Sequence, residues 1–88
     1  SSDLSVAEMV INLYAGTKGY LASIQVADVL AFEAELLRFI RANYPEIISN
    51  IESTNKLDEA TENLLKQAIP ECVEAFGATH TLVSRKEA

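Results

Sequence analysis

Apolar residues recur in this sequence with helical rather than strand spacing. Val6, Met9, Val10, Leu13 and Tyr14 follow the 3.6-residue period, and Ser5 with Glu8 three positions on has the spacing of a capping box. A first helix is therefore predicted over about 5–16. Its other side carries Ala7, Ile11 and Ala15, so the helix is apolar nearly all round and calls for cover on more than one side. Gly16-Thr17-Lys18-Gly19 stops it, with both glycines as candidate helix-stop residues. A second helix is predicted over about 26–43, with Val26, Val29, Phe32, Leu36, Leu37, Phe39 and Ile40 on one broad face. Glu33 projects into the middle of that face, which makes it a candidate structural buried carboxylate.

Tyr44-Pro45 breaks the second helix, and Pro45 suits the first position of a third over about 45–53. Thr54-Asn55-Lys56 forms a turn, and Asp58 is placed to cap a fourth helix over about 58–76. Leu64, Leu65, Ala68, Ile69, Cys72, Val73 and Phe76 make its apolar seam, while Pro70 falls on the polar side and should bend it. The pattern predicts an all-α fold, a compact bundle of about four helices. It forms one unit over residues 1–77, followed by a mobile tail over 78–88.

Composition narrows the function. Eighty-eight residues make one small domain, and 49% of them are hydrophobic, which is rich for a protein that buries only about 60–65% of its surface. Some apolar surface is left for a partner, and the isolated domain is open to self-association. Seven Lys and Arg against thirteen Asp and Glu give a net charge of −6, a poor match for nucleic acid. The longest apolar run, Val29 to Phe32, falls far short of the roughly 20 residues of a membrane span, so direct membrane insertion is not expected.

Candidate chemistry is sparse. Cys72 lies in the apolar seam and His80 beyond it, with no third group to form a nucleophilic centre. One Cys and one His do not make a metal site. Gly16-Thr17-Lys18-Gly19 follows a helix rather than a strand and serves as a stop, not a phosphate loop. Glu59, Glu62, Glu71 and Glu74 read as a solvated face of the fourth helix. No catalytic, cofactor-binding or metal residue is assigned.

Four blocks occur in order: Ser5-Val6-Ala7-Glu8, Tyr14-Ala15-Gly16-Thr17-Lys18-Gly19-Tyr20-Leu21, Phe32-Glu33-Ala34-Glu35-Leu36-Leu37, and Lys56-Leu57 before a helix ending at Phe76. Together they resemble the C-terminal helical domain of the alpha subunit of the F-type rotary ATP synthase, over about Leu4 to Phe76. Asn55, Pro70, Cys72 and Glu74 depart from that pattern. The resemblance implies a non-catalytic structural and coupling module, partnered by beta subunits and rotor-shaft subunits. It implies that ATP and Mg are bound by upstream residues of the parent subunit. It also implies a peripheral position on the cytoplasmic side of a bacterial inner membrane or the matrix side of a mitochondrial one. Met9, Leu13 and Tyr14 are the candidate subunit-contact residues, and Glu33 matches the family's Phe-Glu pair. The different reading is a stand-alone acidic adaptor that takes a partner helix into an apolar groove.

Overall fold

The computed structural model describes residues 5–80. Four α-helices follow in order: α1 (Val6–Thr17), α2 (Val29–Asn43), α3 (Pro45–Thr54) and α4 (Glu59–Gly77). Two 3₁₀ turns, Tyr20–Ser23 and Val26–Asp28, link α1 to α2. There is no strand among the described residues. The chief packing partners are α1 with α3 and α2 with α4, and α3 also lies against α2 and α4. Phe32, Leu36 and Ile40 from α2, Ile47 and Ile51 from α3, and Leu65 and Ile69 from α4 are completely enclosed. Phe76 meets Phe32 edge to face, with ring centres 5.3 Å apart, and joins the end of α4 to the start of α2.

Local chemistry sets the helix ends. The Ser5 hydroxyl accepts the Glu8 N–H at 3.2 Å while Glu8 Oε1 accepts the Ser5 N–H at 3.1 Å, the reciprocal capping box expected from the spacing. The second Glu8 oxygen pairs with the Arg41 guanidinium near the end of α2. One carboxylate thus caps α1 and ties it to a neighbouring helix. Pro45 opens α3 at its first turn, and Asn55 closes it in the left-handed conformation at φ 58°. Asp58 Oδ1 accepts the Thr61 N–H at 2.8 Å and caps α4. The Thr61 hydroxyl, fully buried, receives the Asn50 amide at 3.2 Å, so a polar contact pins α3 to α4.

Three boundaries differ from the sequence expectation. The first concerns α2, which begins at Val29, because Asp28 N–H closes a 3₁₀ turn onto the Gln25 carbonyl at 2.8 Å. Three residues per turn rotate differently from the α-helical wheel, and Val26 leaves the buried face to stand 91% exposed. At the end of α1, Gly16 is an ordinary helical residue. The backbone is turned by Gly19, whose φ of 83° glycine adopts without strain. Finally, α4 runs through Pro70 to Gly77 as one helix with Pro70 on its exposed side. Beyond it, the Thr79 and His80 N–H groups bond back to the Phe76 carbonyl. The rest of the 78–88 tail lies outside the described residues.

Two outcomes test this framework. The Asp58 carboxyl is held below its ordinary value of 3.8, chiefly by the Thr61 backbone N–H. A lowered folded pKa stabilises the fold above that ordinary value and ceases to do so as pH falls through the folded one. Asp58→Ala should therefore lower the thermal midpoint at neutral pH, and the gap from the parent should close in strong acid. For Glu8, replacement by Gln keeps a cap acceptor and weakens the Arg41 contact, whereas Ala removes both. Urea titration should show a loss of under about 1 kcal/mol for Glu8→Gln and about 1–2 kcal/mol for Glu8→Ala.

Candidate interaction site

The inner face of α1 is built from Ala7, Ile11, Tyr14 and Ala15, all buried. Two of these are alanines, so the helix can sit close against its neighbours there, with Ile11 and Tyr14 as its large inward side chains. Val6, Met9 and Leu13, spaced i, i+3 and i+7, form one outer stripe; Met9 is 51% and Leu13 67% exposed. Helical spacing marks α1 as over-apolar, and the structure shows which side is uncovered. Val26 and Leu30 stand exposed at the start of α2 as a second apolar pair.

Tyr14 does not belong to the outer stripe. At the edge of the buried arc, it is 6% exposed and donates its hydroxyl to Glu62 Oε2 on α4 at 3.0 Å. The Lys18 ammonium lies 5.7 Å from its ring centre, and the Tyr20 ring packs 6.2 Å away. Burial first, then the Glu62 hydrogen bond and charge, push its phenol up to about 12. Its contacts are therefore internal, and Met9 and Leu13 remain as the accessible members of the expected contact set.

Glu33 is half-buried rather than enclosed. It keeps the helical phase of Leu37 and Ile40 but stands nearer the start of α2, where Val29 and Leu30 are also incompletely covered. Neither a hydrogen bond nor an ion pair engages its side chain among the described residues. The acidic face of α4 is more engaged than a solvated surface: Glu62 holds Tyr14, and Glu71 Oε1 accepts the Tyr44 hydroxyl at 3.0 Å. Arg41, Glu62 and Glu71 carry contacts between helices that helical spacing does not reveal, since each partner is distant in sequence.

Cys72 and His80 line one cleft of about 300 Å³ beside α2, with Glu35, Phe39 and Phe76. The structure thus brings together two groups that the sequence placed apart. They are not arranged for nucleophilic chemistry. Burial, with the Glu35 charge behind it, pushes the Cys72 thiol up to about 11, away from the thiolate. The His80 ring stacks on Phe76 at 3.8 Å, and its Nδ1 lies 2.9 Å from Thr79 Oγ1. Among the described residues no group of three His, Cys, Asp or Glu side chains could hold a metal ion, and no helix is long and apolar enough to cross a membrane.

The Tyr14 contact generates a measurable outcome. A phenol with a raised folded pKa stabilises the fold below its ordinary value of 10.0 and stops doing so as pH rises through about 12. Tyr14→Phe should cost about 1 kcal/mol of folding free energy near neutral pH, with the loss shrinking in strong alkali. Ultraviolet absorbance titration of the three tyrosines should show one late step near 12 that Tyr14→Phe abolishes.

The family model described as ATP synthase alpha/beta chain, C terminal domain, matches residues 1–72. Over 71 residues the protein is 46% identical to the ATP synthase subunit alpha of Dichelobacter nodosus, covering 81% of this chain and 14% of that protein. Over 68 residues it is 48% identical to the ATP synthase subunit alpha 1 of Nitrosospira multiformis, covering 77% of this chain and 13% of that one. It thus spans a small part of the relatives it matches. With an all-helical bundle of this order and a match over most of its length, the chain belongs to the family of C-terminal domains of ATP synthase alpha and beta subunits, as an alpha-type member.

Proposed function

We propose that this protein is a non-catalytic structural and coupling domain of the alpha subunit of a rotary, proton-translocating ATP synthase. The observation that carries this reading is the outer stripe of α1. Val6, Met9 and Leu13 form a continuous apolar line on a helix whose other face is satisfied inside the bundle. A stripe of this kind gains about 25 cal/mol for each Å² of apolar surface it loses to water, so it favours a covering partner. The matched relatives are far longer than this chain. The natural cover is therefore another part of such a subunit, or an adjoining beta or rotor-shaft subunit.

The division of labour follows from the side chains. Nucleotide and magnesium binding belong, in this reading, to upstream portions of the parent subunit. Gly16 is a helical residue and Gly19 a turn residue, with no strand delivering them to a phosphate, and no cluster of metal ligands accompanies them among the described residues. The bundle contributes contact surface and stiffness. The parent complex takes a peripheral position at the membrane, which needs no spanning helix from this domain.

The test places Met9→Glu and Leu13→Glu together in an alpha subunit carrying this domain. Both side chains are exposed, so the bundle should keep its helical content and thermal midpoint. Recovery of assembled complex should fall roughly tenfold, because two carboxylates would have to be desolvated at the contact. Full assembly and full ATP hydrolysis by the double variant would refute the reading.

A further inference from the structure

A second surface lies on other elements and does not depend on how α1 is covered. The turn from Gly19 to Ser23 packs against α4 across a groove of about 500 Å³. Tyr20 and Val73 give it apolar walls, Pro70 forms part of its lining, and Glu71 and Glu74 supply its charge. Tyr44 grips Glu71 through Oε1 at 3.0 Å, which fixes the carboxylate in place and leaves Oε2 without a donor among the described residues. Glu74 is exposed and pairs with no cation among them. The groove therefore offers hydrogen-bond acceptors and negative charge around an apolar floor. Among the described residues, no Lys or Arg contributes to its lining.

We infer that this groove receives a basic segment of a partner protein, one that seats an Arg or Lys side chain between Glu71 and Glu74 and lays an adjoining apolar side chain on Tyr20 and Val73. Charge complementarity selects the occupant. A guanidinium or ammonium meets two carboxylates, one of them already oriented, and its aliphatic stem suits the apolar walls. A second copy of this protein is disfavoured, since each copy carries a net charge of −6.

The probe is a short amidated peptide of alternating leucine and arginine, with a twin in which glutamate replaces arginine. Each is titrated into the isotopically labelled 88-residue protein and followed by amide chemical shifts. The basic peptide should perturb Gly19, Tyr20, Val73 and Glu74, and its binding should weaken with added salt. Glu71→Gln with Glu74→Gln should weaken it roughly tenfold. Glu52→Gln with Glu59→Gln, which removes the same charge from exposed positions elsewhere, should leave it nearly unchanged. The inference is overturned if the acidic twin binds as well or if the control pair weakens binding as much. It is also overturned if the shifts fall on Met9 and Leu13 instead, or if the protein alone self-associates through the groove.

Discussion

The arrangement depends on a limit of space: α1 can give only one of its two apolar faces to the bundle. Ala7, Ile11, Tyr14 and Ala15 take the inward arc of the helix, which sets Met9 and Leu13 on the opposite arc. A small domain has one core, and each helix can give that core only one face. α3 and α4 meet the limit with polar residues on their outer sides, and α2 does so apart from Leu30 near its start. α1 does not, because its outer side is also apolar. The exposed stripe is thus a product of how the core is filled.

Polar contacts then decide how the helices are held relative to each other. Apolar burial is non-directional, and the phenylalanine and isoleucine core would tolerate small slides and rotations. Glu8 with Arg41, Tyr14 with Glu62, Tyr44 with Glu71, and Asn50 with Thr61 each join two helices at a defined point. Each net contribution is modest. Their value is geometric, since together they fix the register of α1 on α2 and α4, and of α3 on α4.

Much of this is legible in the order of the residues. The capping box at Ser5 and Glu8, the Pro45 start, the Asn55 turn and the Asp58 cap are local, so short-range spacing is enough to find them. The seam of α4 is legible because seven apolar residues keep one helical phase. Legibility fails where a local rule meets a distant partner or a change of helix type. The 3₁₀ turn at Val26–Asp28 alters the rotation per residue, which is why an α-helical wheel sets Val26 too far inward. Tyr14 reads as available for another subunit because Glu62, its partner, lies 48 positions away. The same applies to Cys72 and His80, whose shared cleft depends on how the backbone turns back after Phe76. The apolar excess of α1 is visible in its residues, but which side faces inward depends on how Ala7, Ile11, Tyr14 and Ala15 pack against the other helices.

Two of these contacts lie at opposite ends of one element. Glu8 fastens the start of α1 to the end of α2, and Tyr14 fastens the last turns of α1 to the start of α4. A helix anchored at both ends behaves as a beam rather than a flap. Freeing α1 from the bundle therefore requires losing a contact to α2 and a contact to α4 as well as the burial of its inner face. In such a helix, the two ends are braced on different neighbours rather than on one.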